Sequence, residues 1–270
     1  MSKDTFFITT AIDYTNGPPH IGHAYEKLLA DVITRYRRAR GEKAYFLTGV
    51  DQHGQKVQQS AGKEGVEPQE FADRIAGLFV DLWERMDVRY DGWASTTHPH
   101  HKAVVQTALQ KLHDEGQLYK AAHTGFYSIR QEQFLTDKDR NEDGQFGPEW
   151  GEVQELQEEN WYFKLQEHIP WLKDFILSHP DFIFPAFRAK EVLNALENSD
   201  SDLCISRPKT RLSWGIEFPF DPDYVTFVWF DALTNYISFA GYLADDVGAQ
   251  GLEAPDFSKL WPADIHLIGK

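Results

Sequence analysis

The first fifty residues restrict the fold more than any other part of the chain. An apolar run at 6–12 predicts a buried strand. A turn at 16–19 follows it, and apolar residues then recur at helical spacing from 20 to about 40, where Gly41 ends the helix. A second apolar run at 44–50 predicts another buried strand. Strand, helix and strand in this order indicate an α/β fold with a Rossmann-like parallel sheet that binds a nucleotide.

The rest of the chain continues this alternation of strands and helices, except in one segment that begins after Gly116. After Gly116 the apolar periodicity gives way to short strands, turns and many acidic residues, which indicates an insertion. We therefore predict a first half of the nucleotide-binding fold at 1–116, a connective insertion at 117–222 and the start of the second half at 223–270. The further predicted elements are helices at 68–86, 97–116, 170–178, 188–197 and 231–242, and extended segments at 88–96, 225–229 and 265–268.

Charge and cysteine content limit the classes of function. The net charge of the 270 residues is −15, and residues 131–159 contain ten acidic side chains. Nucleic-acid binders usually carry a basic excess, so the overall charge argues against RNA binding. The single cysteine, Cys204, excludes an internal disulfide and a CxxC metal site. The sequence shows neither a signal-peptide pattern nor an apolar run of about 18 residues, so we expect a cytoplasmic protein without a membrane span.

Two histidines, His20 and His23, stand where the first strand turns into the first helix. Backbone N–H groups and the helix dipole favour an anion at such a position. Gly22 lets a ligand approach the backbone closely, and the imidazoles can donate hydrogen bonds to phosphate oxygens as charge builds on a leaving group. The alternative is a pair of exposed histidines without a ligand, which the preceding strand and turn make less favourable.

The segment at 20–23, His-Ile-Gly-His, resembles the HIGH signature of class I aminoacyl-tRNA synthetases, and its context at 11–24 resembles that of methionyl-tRNA synthetases. The resemblance extends over nearly the whole chain and keeps the order of the family. It implies the HUP-type sheet of class I synthetases, interrupted by a connective peptide. The further segments that carry it lie at 46–54, 203–208, 214–216, 228–236 and 265–270.

The resemblance also implies roles for particular residues. His20 and His23 would be catalytic, and ATP would be bound by these two histidines together with Gly22 and Gly269. Asp51 would bind the α-amino group of methionine; an aspartate that caps a turn or helix is the alternative. Aromatic and aliphatic walls suit a thioether side chain, and the same residues would otherwise be ordinary core. The residues implied to form those walls are Ile12, Tyr14, Trp229, Ala232, Leu233 and Tyr236.

The activity implied by the resemblance is that of a methionine–tRNA ligase. Such an enzyme activates methionine with ATP to methionyl-adenylate and transfers the methionyl group to the acceptor end of tRNA(Met). Its partners would be methionine, ATP and this tRNA, with Mg²⁺ accompanying the phosphates. We assign no metal-ligating residue and expect no zinc. Ser128 and Gln131 stand where many members of the family have a cysteine pair.

The sequence also departs from the family in extent, because the KMSKS loop and the anticodon-binding domain are not among its 270 residues. We therefore expect a truncated catalytic domain. One alternative is a catalytically inert paralogue that binds methionine or ATP, and another is one piece of a split synthetase. A class I synthetase for cysteine is disfavoured by the lone Cys204, and one for branched-chain amino acids by the short chain, which has no room for the large editing insertion.

Overall fold

The computed structural model describes residues 3–131, 133–141, 143–247 and 255–269. Its chain forms two compact units, which are described separately. The first contains Met1–Gln110 and Lys209–Lys270, and the second contains Lys111–Pro208. The insertion predicted at 117–222 shares residues 117–208 with the second unit, and its boundaries as a domain stay a prediction.

The elements follow one another in an α/β order. In chain order they are β1 (Thr5–Thr10), β2 (Asp13–Tyr14), α1 (Ile21–Ala39), β3 (Lys43–Asp51), α2 (Gln55–Glu64), α3 (Pro68–Arg85), β4 (Gly92–Ser95), α4 (Pro99–Asp114), β5 (Leu118–Ser128), β6 (Gln133–Leu135), β7 (Val153–Phe163), α5 (Leu165–Ser178), α6 (Ala186–Glu197), β8 (Leu203–Cys204), β9 (Ser206–Pro208), β10 (Glu217–Phe218), β11 (Asp221–Thr226), α7 (Val228–Ser238), α8 (Ala244–Val247), α9 (Phe257–Leu260) and β12 (Ile265–Leu267).

The first unit is built on a parallel sheet, which confirms the predicted fold class. Its strand order is β12-β1-β3-β2, and β4 also pairs with β3. Ile8 stands at the centre, in register with Ile265 on one side and Phe46 on the other. Ile8 and Phe46 are fully buried, as expected for strands covered on both faces by helices. The carboxyl ends of β1, β3 and β12 consequently lie at one edge of the sheet, where ligands bind in folds of this type.

Two predictions for this unit need correction. The segment predicted as a strand at 225–229 is a strand only up to Thr226, and Val228 already begins α7. Short apolar runs fit a buried strand or a buried helix equally well, and here the helix is formed. The helix α2 was not predicted. It lies between Gly54 and Gly65, and Gly65 ends it in a left-handed conformation.

The second unit is an antiparallel sheet with two helices. β5 and β7 pair over eleven residues, from Leu118 opposite Phe163 to Ser128 opposite Val153. These strands are long, whereas short ones were predicted for this region. The helices α5 and α6 correspond to those predicted at 170–178 and 188–197, and both begin earlier. Among the described residues of the chain, no helix has both the length and the apolar character that a membrane crossing requires.

The positions equated with a family cysteine pair form hydrogen bonds within the second unit. The Ser128 hydroxyl donates to the Trp150 carbonyl at 2.6 Å and accepts the Gln131 backbone N–H at 3.0 Å. The Gln131 side-chain amide donates to the Glu149 carbonyl at 3.2 Å. These bonds tie the turn after β5 to the segment around Trp150. Hydrogen bonding therefore accounts for the shape of this turn.

Gly49 offers a test of the sheet. A Cβ atom built on Gly49 would collide with the backbone carbonyl of Ala94 in β4, whereas one built on Gly62 in α2 would meet nothing within 4 Å. We expect Gly49→Ala to lower the free energy of unfolding by about 1–3 kcal/mol because the strand backbones must separate. The control Gly62→Ala should raise it by roughly 0.5–1 kcal/mol, since helical glycine is unfavourable. Urea unfolding measures both, and equal stabilities would contradict the β3–β4 pairing.

Candidate active site

The His-Ile-Gly-His turn forms a reciprocal cap at the start of α1. His20 is the N-cap residue, and its Nδ1 accepts the Gly22 backbone N–H at 3.1 Å. The Nδ1 of His23 in turn accepts the His20 backbone N–H at 3.1 Å. The two rings stack, with centroids 3.7 Å apart. A neutral imidazole whose Nδ1 accepts carries its proton on Nε2, so both side chains hold an Nε2–H donor beside the free N–H groups of a helix start.

The charge state of His23 follows from its surroundings. Partial burial, together with the smaller effects of the neighbouring His20 and Lys27, lowers its pKa to about 4. The ring also meets the edge of Phe79 at 5.1 Å between centroids. His23 is therefore neutral at pH 7. It can serve as a hydrogen-bond donor to an anion without carrying a full charge in the free protein.

A buried lysine lies under this turn, and it was not identified from the sequence. The Lys27 ammonium donates to the Ala11 carbonyl at 2.8 Å, to Asp13 at 2.6 Å and to Glu26 at 3.3 Å. Its three donors are thereby satisfied. Burial raises the pKa of Asp13 to about 6, against the opposing effect of Lys27. Lys27 lies on a helical stripe with Ala24, Ala30 and Thr34, and a charge among such small residues is the signal that points to it.

Gly269 lies against α1. Its backbone N–H donates to a carboxylate oxygen of Glu26 at 2.5 Å. A Cβ atom at this position would collide with the same carboxylate unless the Glu26 side chain moved, so this contact favours glycine. Glu26 is three residues beyond His23 on the same helix. The structure thus brings the end of β12 beside the helix that begins with His20, Gly22 and His23, the other residues predicted to bind ATP.

Asp51 ends β3, next to the strand β2, which ends at Tyr14. Asp51 and Tyr14 are paired in register between β3 and β2. The Asp51 carbonyl accepts the backbone N–H and the hydroxyl of Thr15 at 2.9 and 3.1 Å, and the carboxylate faces the His53 N–H at 3.4 Å. Gly54 has a φ of +108°, and a Cβ there would approach the Tyr14 hydroxyl to 2.6 Å. Asp51, which is predicted to bind the ammonium group, and Tyr14, which is predicted to line the pocket, therefore lie next to each other at this edge of the sheet.

The remaining predicted pocket residues lie on α7. Trp229, Leu233 and Tyr236 share one side of this helix, and Trp229 and Leu233 are 59% and 55% exposed, which leaves that side open to a ligand. Ala232 is buried and lies beside Tyr236, toward the buried face of the helix. Trp229 belongs to the first turn of this helix and not to the extended segment predicted at 225–229.

Tyr236 connects α7 to the sheet edge. Its hydroxyl is hydrogen-bonded to the backbone of Ile12, and its ring meets His266 of β12 at 4.2 Å between centroids. Burial raises the pKa of Tyr236 to about 12, and the charges of Glu26 and Asp51 act in the same direction. Ile12, Asp51 and Tyr236 are thus neighbours. Sequence reasoning missed His266, although the strand that carries it was identified.

A second buried network was also missed. Asp231 on α7 is fully buried, and its carboxylate bonds to His53 at 2.6 Å and to His101 at 2.9 Å. Burial acts to raise the pKa of Asp231, but the two histidines outweigh burial and the pKa falls to about 2. His53 belongs to the segment after Asp51 and His101 to α4, so three elements meet at one carboxylate.

Comparisons with known proteins identify the family of this chain. A family model described as tRNA synthetases class I (M) matches residues 6–143 and 150–270. The methionine–tRNA ligase of Deinococcus radiodurans is 43% identical over 98% of this chain, and that of Rhizobium meliloti is 40% identical over 99%. This chain covers 38% and 51% of those proteins. It therefore spans about half of the length of its relatives, or less.

Solved structures give the same result. The methionyl-tRNA synthetase of Mycobacterium tuberculosis bound by methionyl-adenylate superposes with a TM-score of 0.86 at 34% identity, over 97% of this chain and 50% of that chain. Its free form superposes with a TM-score of 0.77 at 31% identity, over 99% of this chain and 50% of that chain.

The neutral state of His23 can be measured directly. Because burial and the neighbouring His20 and Lys27 lower its pKa, protonation begins only as the pH falls toward about 4. We expect the His23 Hε1 resonance to stay constant from pH 8 to about 5.5 and to shift only below that range. An NMR pH titration, with the resonance assigned by His23→Gln, provides the measurement. A midpoint near the ordinary pKa of about 6.5 would contradict the described environment.

Proposed function

We propose, since this chain belongs to the tRNA synthetase class I (M) family, that it is the front part of a methionine–tRNA ligase catalytic domain and forms methionyl-adenylate from methionine and ATP. The observation that carries this proposal is the reciprocal cap at 20–23, which prepares two Nε2–H donors at a helix start. Gly269 lies along the same helix, and Asp51 lies at the same sheet edge. The proposed phosphate site and the proposed amino-acid site would therefore be adjacent.

In the proposed reaction a carboxylate oxygen of methionine attacks the α-phosphorus of ATP in line. The bond from that phosphorus to the bridging oxygen breaks, and pyrophosphate leaves with the electron pair. The protein supplies position and electrostatic stabilisation, and no side chain acts as a nucleophile. His20 and His23 would donate their Nε2–H groups to the phosphate oxygens, together with the backbone N–H groups at the start of α1. Gly22 would leave room for the nucleotide at this point.

Methionine would lie between the end of β3 and α7. Asp51 would accept the α-ammonium group in a charge-assisted hydrogen bond. Tyr14, Trp229, Leu233 and Tyr236 would surround the thioether, and the exposure of Trp229 and Leu233 leaves their faces available for it. Ile12 would complete the pocket beside Tyr236. Ala232 would contribute from the buried face of α7, as a small residue that lets the helix approach.

The second half-reaction would transfer the methionyl group to the 3′-terminal adenosine of tRNA(Met), and we place this activity in the cytoplasm. Among the residues that the structure describes, no group of three or more His, Cys, Asp or Glu side chains is arranged to hold a metal ion. Mg²⁺ would bind with the ATP phosphates, which are suitable oxygen ligands. The turn at Ser128 and Gln131 would hold its shape through its own hydrogen bonds, without zinc.

Pyrophosphate exchange tests the proposed reaction. His23→Asn keeps an oxygen that can accept the His20 N–H, but it cannot place a donor where Nε2 lies. His23→Gln reaches that place with its amide. We expect methionine-dependent ATP–pyrophosphate exchange to fall about 10²–10³-fold in His23→Asn, as when an oxyanion donor is removed, and less in His23→Gln. Wild-type exchange in His23→Asn would contradict the role of His23. No exchange by the unmodified chain, with methionine and ATP still bound, would favour an inert binding paralogue.

The role of Asp51 can be separated from general damage to the pocket. Asp51→Asn removes the charge opposite the ammonium group, so the methionine Kd should rise about 10–100-fold, the usual loss for a hydrogen bond to a charged group. The matched ligand is 4-(methylthio)butanoic acid, which is methionine without its amino group. Its Kd should be the same for both proteins. Calorimetry measures the four affinities, and an equal loss for both ligands would show that Asp51 does not bind the ammonium group.

A further inference from the structure

The Asp231 carboxylate takes no part in the proposed chemistry, yet it organises the wall that bears the methionine-binding residues. Its two oxygens accept separate hydrogen bonds, one from His53 Nδ1 and one from His101 Nε2. Since an ionised carboxylate can only accept, each histidine must place a proton on the nitrogen that faces Asp231. The carboxylate therefore fixes the orientation and the proton position of both rings.

His101 contacts two side chains of α7 that are two turns apart. Its Nε2 donates to Asp231, and its Nδ1 is 2.8 Å from the hydroxyl of Ser238, seven residues further along the helix. His100 Nε2 lies 3.1 Å from the Ser238 carbonyl, one of the carbonyls that a helix end leaves without a partner inside the helix. The His101 ring also stacks on Phe239. Histidines thus hold α7 at its beginning, along its length and at its end.

The opposite face of α7 carries the residues proposed to bind the thioether. Trp229, Leu233 and Tyr236 share that face, while Asp231 and Ser238 share the buried one. Neighbouring residues of a helix are about 100° apart, so a small rotation of α7 moves the first set relative to the sheet. The hydrogen bonds that join Asp231 to His53 and His101 oppose that rotation.

His53 also links this network to Asp51, because it is two residues beyond Asp51 and its N–H faces the Asp51 carboxylate. A buried charge with partners is often no more stable than apolar packing of the same volume. Stability alone is thus a weak reason for this network. The network can instead fix Asp51, at the end of β3, relative to α7. Apolar packing would do this less specifically, because it has no directed bonds.

We propose that Asp231 is a positioning residue for methionine, which holds α7 against the end of β3 through His53 and His101. The proposal rests on the proposed function, since it assumes that methionine binds between Asp51 and α7. Asp231 itself touches no substrate. Its loss should therefore weaken methionine binding and spare the ATP side of the site, which is built on α1 and Gly269.

The test compares Asp231→Asn with Asp31→Asn. Asp31 is also a buried aspartate of the first unit, and it bonds to Arg35 and to the Arg89 backbone. Calorimetry with methionine alone and with ATP alone should show a methionine Kd at least about tenfold higher for Asp231→Asn, because the wall is misplaced, and an ATP Kd within about twofold of the wild type. Asp31→Asn should be less stable in urea with both Kd values retained.

A second pair keeps the proposal testable if Asp231→Asn does not fold. His53→Asn preserves a donor where Nδ1 faces Asp231, and His53 Nε2 has no hydrogen-bond partner within the described part of the chain that would be lost. His53→Leu removes the link. We expect weak methionine binding in His53→Leu and near wild-type binding in His53→Asn.

Unchanged methionine affinity in Asp231→Asn or in His53→Leu would overturn the positioning role while leaving the proposed function intact. Equal losses of methionine and ATP affinity would also overturn it, because they indicate general damage. Failure of the wild-type chain to bind methionine would count first against the proposed function, and the positioning role would fall with it.

Discussion

The hydrogen bonds of the Lys27 ammonium group are the contacts on which the proposed nucleotide side of the site depends. It is 1% exposed and joins α1 to the Ala11 carbonyl, at the end of β1, and to Asp13. Through Glu26 it also reaches Gly269 beyond β12. Withdrawing an ammonium group from water is costly unless all of its donors find partners, and here each does. The first turn of α1 is thereby fixed over the sheet edge.

The proposed methionine side depends on the helix α7, whose two faces have different roles. The buried face of α7 is held by Asp231 and its histidines, and the open face presents aromatic and aliphatic surface. Tyr236 joins the two sides, since its hydroxyl bonds to the backbone of Ile12 and its ring rests on His266. The two sides meet where β1, β3 and β12 end. This is the place where a parallel sheet offers a crevice and where helix starts provide N–H groups.

Much of this could be predicted from the sequence because the signals are local. The runs at 6–12 and 44–50 and the helical spacing between them determine β1, α1 and β3, and the histidines at 20–23 fall on a helix start. The division of α7 into two faces could not be predicted, because the apolar run at 225–229 fits a strand as well as a helix. The bond between His53 and Asp231 joins residues 178 positions apart, and Lys27 finds Asp13 fourteen positions away. Pairing over such separations leaves no periodicity in the sequence.

In the proposed function, one sheet edge holds a nucleotide and methionine side by side. An NMR titration of the assigned chain with methionyl sulfamoyl adenosine, a stable analogue of the adenylate, tests this placement most directly. We expect saturable binding that is tighter than that of methionine, with the largest shifts at His20, His23, Asp51, Trp229 and Gly269. Absence of binding, or shifts confined to the second unit, would contradict it.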